Sequence, residues 1–473
     1  MNKTITILHT NDLHGNYDLV IRQAAYIKKR VSELKAQGES YVLLDGGDHL
    51  DMSINECLAT NGDMHLEMLA DVGYHAMSVG NNELLRSTPA LIREHSRETR
   101  VPWLLSNLVE GDGTVIGGMK ETLLVTVDNG VKVGLFGATD QFGDLYENKH
   151  GFRNLETLTA IKKAVADLKE QGADVIVFLS HLGYGADMEM AKEVSGLVDV
   201  IVGAHSHTVL QRPVVESGVV IVQAGSHGQY VGELKLGLYI ENGLHKIETF
   251  EGKLVEITPE SETDANMEAL LEKGREETNE FFSEVLFQTK EPLSHADIIQ
   301  FMAEAVRDYW KAEIGIMYGG AAVDEGLQSG DVTKGDVYNR CKSMHSPVLM
   351  ELKGEQIARL IEDSFNGEII SKQVYGNGFR PHGIPIGALA FSGVTWSHHD
   401  GIISDVKVNG ESLVEEKVYL VGTGSPMLYE EVCGYASVKG NTLVEVGKTE
   451  MVKDVFMGYL RGRRHSGNAV ISN

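Results

Sequence analysis

Through about residue 235 the chain alternates short apolar runs with amphipathic segments. The apolar runs lie at 4–8, 41–45, 74–79, 101–106, 131–137, 175–180 and 198–203. Between them, segments near 18–37, 61–72, 88–99, 157–171 and 186–196 are helix candidates. The first carries Leu19, Ile27, Val31 and Leu34 among charges and ends at Gly38; the fourth carries Leu158, Ile161, Val165 and Leu168 before Gly172. Strands alternating with helices predict an α/β layered domain with largely parallel strands. Segments 213–223 and 231–240 have no helix between them and are expected as antiparallel additions at one edge. The acidic stretch 256–284, poor in β-branched residues, predicts a linker helix. A fresh pattern starts near Pro292, with helices near 296–310 and 354–366 and strands at 348–352, 388–396, 403–408 and 417–421. The expected division is residues 1–255, a linker helix over 256–290, and an α+β domain over 291–473.

The chemistry sits where the strands end. The first strand runs into Asn11-Asp12-Leu13-His14, the second into Gly46-Gly47-Asp48, and the third into Gly80-Asn81-Asn82-Glu83. Run 175–180 ends at His181, and run 198–203 leads into Ala204-His205-Ser206-His207. Ligands of open α/β sheets bind beyond the carboxyl ends of the strands, so these distant segments are expected to converge. Carboxylate, imidazole and amide oxygen suit Mn²⁺, Zn²⁺, Fe or Co²⁺. Two-metal hydrolases hold such ions ~3.5–4 Å apart. In Asp12-x-His14 and His205-x-His207, an extended backbone would turn both side chains of a pair to one face. Any one of these signals alone is more often a solvated turn; their ordered recurrence at strand ends is what points to a metal site.

Charge and cysteine content narrow the class. The 473 residues hold 42 Lys+Arg and 68 Asp+Glu, a net charge of −26. That opposes binding of polymeric nucleic acid or an anionic membrane over the general surface. A phosphate substrate would be repelled too, unless bound cations attract it. The cysteines, Cys57, Cys341 and Cys433, are odd in number and widely spaced, which predicts free thiols rather than a disulfide framework. No apolar run approaches a membrane span. A strand-like run begins almost at once, in place of a signal peptide. The cytoplasm is the expected location.

The ordered set Asp12-x-His14, Gly47-Asp48, Gly80-Asn81-x-Glu83, His181 and Gly203-x-His205-x-His207 resembles the calcineurin-like metallophosphoesterases. The strings ILHTNDLHG at 7–15 and QAGSHGQYVGEL at 223–234 resemble the bacterial 5′-nucleotidase branch, as do YGGAAVDEGLQSGDVT at 318–333 and MELKGEQI at 350–357. The resemblance implies a four-layer-type α/β metallophosphoesterase domain followed by an α+β domain like the 5′-nucleotidase C-terminal domain. It implies that Asp12, His14 and His207 ligate one divalent ion, that Asn81, His181 and His205 ligate another, and that Asp48 bridges them. The implied reaction is attack of a metal-held hydroxide on the phosphorus of a nucleotide or small phosphate. The resemblance also implies a base sandwiched by aromatic rings of the second domain, for which Phe379 and Tyr435 are the candidates, with Arg380 beside them.

Two positions depart from that pattern. The family places His directly after the metal-binding Asn, with an Asp three residues later; this chain has Asn82 and Leu85. Asn82 stands at the catalytic position and can donate a hydrogen bond but cannot deliver a proton. General acid catalysis contributes typically ~10²–10⁴-fold, so the loss bears hardest on poor leaving groups. A phosphate-facing Arg of the family aligns with Val323, for which Arg380, Arg340 or Lys342 could substitute. Alternatives to a 5′-nucleotidase-like hydrolase are therefore hydrolysis of a nucleotide sugar, anhydride or cyclic nucleotide, or a weakly active nucleotide-binding sensor. The sequence leaves the oligomeric state open.

Overall fold

A computed structural model describes residues 3–85, 87–241, 244–323, 325–341, 345–373, 385–447 and 450–466. The chain divides into two compact units, residues 1–278 and 279–473.

The first unit is built on two six-stranded sheets. In one, Lys3–Thr10, Ser40–Asp45, Ala76–Ser78 and Trp103–Leu104 run parallel. Tyr230–Glu241 and then Leu244–Glu256 add antiparallel strands beside Lys3–Thr10. In the other, Lys132–Thr139, Val175–His181, Val200–Gly203 and Val219–Val222 run parallel, with antiparallel strands at both edges. Strand periodicity sends alternate side chains to opposite faces. Ile5, Ile7, Val42 and Leu44 of the first sheet therefore meet Val133, Leu135, Val177, Leu179, Val200 and Val202 of the second in one buried layer. The residues between them face outward: Leu8 and Leu43 pack on Ile27 and Leu34 of the helix Tyr17–Ala36. Phe136, Ile176, Phe178 and Ile201 pack on Ile161, Val165 and Leu168 of the helix Thr157–Glu170. Burial on both faces explains why these strands read as unbroken apolar runs. The outcome is four layers, helix–sheet–sheet–helix.

The second unit centres on a five-stranded mixed sheet in the order Leu389–Ser392, Ile314–Tyr318, Val418–Gly424, Pro347–Lys353 and Thr442–Val446. The helix His295–Trp310, held at its start by a Ser294–Asp297 capping box, and the helix Val452–Ser466 supply part of its core.

Two expectations are corrected. Val219–Val222 is parallel to Val200–Gly203, not antiparallel; only the short strand Val214–Glu216 reverses direction there. The boundary between the two units, after Thr278, falls within the helix of the stretch 256–290. That helix, Ala265–Ser283, packs Met267 and Leu271 against Leu13, Tyr17, Ile21, Met64 and Met68 of the first unit. The strand that follows, Val285–Thr289, already pairs with Gly330–Thr333, so the second unit begins before residue 291. The long strand Leu244–Glu256 went unpredicted because it is a sheet edge with charged, solvent-facing positions, which blurs its alternation.

Candidate metal centre

The predicted ligand residues do converge, at the carboxyl edges of both sheets of the first unit rather than of a single sheet. Asp12, His14 and His207 each offer a ligand atom within 4.8 Å of the others, and Asp48, His181 and His205 form a second such group. The groups abut at Asp48, whose Oδ2 lies 3.7 Å from His14 Nε2 and 3.3 Å from His181 Nε2. Asn81 Oδ1 is 3.2 Å from His181 Nε2. His207 Nε2 lies 3.2 Å from His14 Nε2 and 3.4 Å from Asp12 Oδ1.

The backbone that delivers these side chains is not extended, contrary to the expectation from alternation. Asp12, His14, Asp48, His205 and His207 have φ of 53°, 44°, 56°, 70° and 54°. Left-handed non-glycine residues are uncommon and cost on the order of 1 kcal/mol or more each, so the surroundings must over-determine them. They do. Asp12 N donates to Gly47 O and His14 N to Asp48 O, which locks the first ligand loop onto the second. Asp12 accepts the His205 N–H on Oδ2 at 2.9 Å and a bond from Asn11 Nδ2 at 2.7 Å. Asn11 in turn accepts from Ala224 N and donates to Gly225 O, tying in the segment 223–234. Glu83 is buried and accepts the N–H groups of Asp48, Leu50 and Gly80. Sequence reasoning noted Glu83 only as part of a motif; it is the clasp between the second and third strand ends.

The donors fit divalent cations. Gly46 O can only accept, so the 2.9 Å contact places a proton on His181 Nδ1, and Nε2, facing the acceptors Asp48 Oδ2 and Asn81 Oδ1, is the nitrogen at which a cation would replace a proton. Burial disfavours a charged His14, yet Asp12, Asp51 and Asp48 outweigh it and lift its pKa to about 10. Burial likewise opposes charge on His181, and Asp48 and Asp12 again prevail, to about 10. Burial raises the Asp12 carboxyl, but bonds from His14 and His207 override it and hold its pKa well below the carboxylate range. Buried carboxylates that draw protons onto neighbouring imidazoles are a site short of positive charge, which a cation at the same nitrogens supplies.

Asn82 does not face outward as a donor for a leaving group. It is buried; its backbone N–H donates to Asp48 Oδ1 at 2.7 Å and its Nδ2 to Asp48 Oδ2 at 2.8 Å. Its side chain thus fixes the Asp48 carboxylate. Three residues near the site were missed. Asp51 Oδ2 lies 3.3 Å from His14 Nδ1 and orients that ring. Asp140 Oδ2 is 3.8 Å from His205 Nε2. His227 donates its N–H to Asp12 O and sets its ring 5.3 Å from His14 and 5.6 Å from His207. Only His227 left a trace, inside the string at 223–234.

The second-domain candidates fare differently. Phe379, Arg380 and Lys342 lie outside the described residues. Tyr435 is fully buried in the core of the second unit, with its hydroxyl donating to Gly387 O at 2.7 Å. A ring with no exposed face cannot stack on a base, so Tyr435 is corrected to a core residue. Arg340 donates to Gly326 O, and Val323 N donates to Arg340 O.

The two-sheet α/β sandwich gathers acidic and imidazole side chains at the carboxyl edges of both sheets, an arrangement suited to divalent cations. The family model described as calcineurin-like phosphoesterase matches residues 5–209, and that of the 5′-nucleotidase C-terminal domain matches residues 278–427. The chain thus carries a calcineurin-like phosphoesterase domain, of a family that uses divalent metal ions and hydrolyses phosphoesters, followed by a 5′-nucleotidase C-terminal domain. It is 27% identical over 435 residues to the uncharacterized metallophosphoesterase YunD of Bacillus subtilis (strain 168), spanning 89% of this chain and 92% of that one. It is 24% identical over 479 residues to a 5′-nucleotidase of Vibrio cholerae, spanning 88% and 83%. Among solved structures, the 5′-nucleotidase precursor from Thermus thermophilus shares the fold, with a TM-score of 0.53 at 22% identity over 98% of this chain and 97% of that chain.

Proposed function

We propose that the protein hydrolyses nucleotides or related small phosphates with two divalent ions, and that it favours substrates with good leaving groups. The observation that carries the reading is Asp48, set between two ligand groups with one carboxylate oxygen near imidazoles of both. Bound divalent ions would polarise the phosphoryl oxygens and lower the pKa of water. The chain's own residues do the rest. His181 Nδ1–H on Gly46 O and Asp51 beside His14 hold two imidazoles in the orientation a cation needs. Asn82 holds Asp48 by two hydrogen bonds and offers no proton to a departing alkoxide.

With Mn²⁺ supplied, kcat/KM for an aryl phosphate or a phosphoanhydride is expected to exceed that for a nucleoside 5′-monophosphate by about 10²-fold or more, the lower end of what a general acid contributes. Steady-state kinetics on the three substrates checks this. Monophosphate turnover as fast as aryl phosphate turnover would remove the leaving-group preference, and no turnover of any of them would remove the hydrolase reading. Support for a reducing location comes from Cys57, Cys341 and Cys433, all buried and none in a disulfide, and the cytoplasm is the location we propose. Among the described residues no helix is long and apolar enough to cross a membrane.

A further inference from the structure

We propose that Phe142 is the platform on which the flat part of a substrate's leaving group stacks, a subsite beside the metal centre within the first unit. This rests on the phosphoesterase reading. The strand Lys132–Thr139 ends in register with the strand that delivers His181, so the residues after it enter the same sheet edge as the ligands. The loop that follows is fixed at several points. Asp140 N donates to His181 O at 3.1 Å, and Phe142 N donates to Asp140 Oδ1 at 3.2 Å. Gln141 Nε2 donates to Asn107 O and Leu155 O, each at 2.8 Å, and Asn154 Nδ2 donates to Gly143 O at 2.6 Å.

On this anchored loop Phe142 takes φ of 49°, followed by Gly143 at 61°. A glycine or asparagine would make the same turn at less cost; a bulky aromatic there is an outlier. The ring is also 41% exposed, forgoing much of the free energy that burial of a phenylalanine supplies. Single exposed apolar residues are common and need no explanation. One held left-handed, on a pinned loop, against a metal-site histidine does need one. Its neighbours are the buried Tyr146, at 6.4 Å and 82°, and His205, at 5.8 Å and 76°. Both contacts are T-shaped, so neither ring covers Phe142 by stacking.

Charge identifies the part of the substrate involved. Asp140 stands partly exposed beside Phe142 and the protein carries a net charge of −26, so an additional phosphate is disfavoured there. Stacking on an aromatic face does not depend on a favourable local charge, and a ring already ordered loses little entropy on binding. The occupant that fits is a planar, weakly charged group such as a nucleobase or an aryl ring, attached to a phosphoryl group at the metal centre.

The test compares wild type, Phe142→Ala and Phe142→Trp, loaded with Mn²⁺, on 4-nitrophenyl phosphate, a nucleoside monophosphate and glycerol phosphate. Phe142→Ala is expected to lose about tenfold in kcat/KM on the two planar substrates, carried by KM, and to stay within about twofold on glycerol phosphate. Phe142→Trp is expected to restore the planar substrates. Equal losses on all three, or none, would overturn the subsite. If wild type turns over none of them, the hydrolase reading fails, and the subsite is read instead from calorimetric binding of adenosine monophosphate to the Mn²⁺-loaded protein. About tenfold weaker binding by Phe142→Ala then supports it; equal affinities, or no binding by wild type, overturn it.

Discussion

Asp48→Asn is expected to leave a folded protein that has lost its high-affinity metal binding and on the order of 10³-fold or more in activity. The backbone N–H of Asn82 can still find an oxygen at position 48, so the loop keeps its main anchor. The amide NH₂, however, takes the place of Oδ2. There it confronts the Asn82 Nδ2 donor at 2.8 Å and faces His181 Nε2 at 3.3 Å. It repels the first and removes the anionic oxygen that faces the second. One charge is lost at the junction of both ligand groups. Several kcal/mol of transition-state stabilisation correspond to about a thousandfold in rate. Thermal melting, metal analysis and turnover of an aryl phosphate together check this. Near-normal activity with an unaltered metal content would remove Asp48 from the shared position.

Gly80→Ala is expected to damage the site almost as severely without adding or removing a ligand. A Cβ at Gly80 would stand 2.1 Å from Asp48 Oδ1, 2.6 Å from Asp48 N and 2.7 Å from His181 Cε1. Two of those are a carboxylate oxygen held by Asn82 and a backbone nitrogen held by Glu83, so neither can yield cheaply. Overpacking of this kind costs roughly 1–3 kcal/mol of stability, and a ~1 Å displacement of a reacting group costs about 10²-fold in rate. Gly185→Ala is the control, since a Cβ there meets nothing within 4 Å. The expected pattern is an activity loss of about 10²-fold or more for Gly80→Ala and near-wild-type behaviour for Gly185→Ala. Comparable activities of the two would mean that the third strand end tolerates movement and does not set the position of Asp48.

The residues that converge were legible because each keeps its chemical type and its place at a strand end, whatever the local backbone does. How they are presented was not. Alternation suggested extended pairs at Asp12-x-His14 and His205-x-His207, whereas left-handed residues stitched to neighbouring loops deliver them. That conformation depends on partners from distant segments, such as Gly47 O and Asn11, which local spacing does not encode. Asp51 and Asp140 were missed for the same reason: an acidic residue in a loop is unremarkable until a histidine is found beside it. Asn82 shows in the sequence only as the loss of an acid, and its attachment to Asp48 emerges only in three dimensions. Tyr435 was misread because burial of an aromatic preceded by Cys433 and Gly434 depends on the distant core residues packed around it, and its hydroxyl finds a backbone carbonyl, Gly387 O. The layered α/β frame of the first unit was legible from its long apolar runs. The start of the second unit was not, since Val285–Thr289 is a strand only through its pairing with Gly330–Thr333.

The central claim is that two divalent ions sit on the joined groups Asp12–His14–His207 and Asp48–His181–His205 with Asn81. Metal stoichiometry tests it most directly. After chelation and Mn²⁺ reloading, elemental analysis of the wild type is expected to give about two ions per chain. A value below one, in protein that melts cooperatively, would contradict the two-metal account.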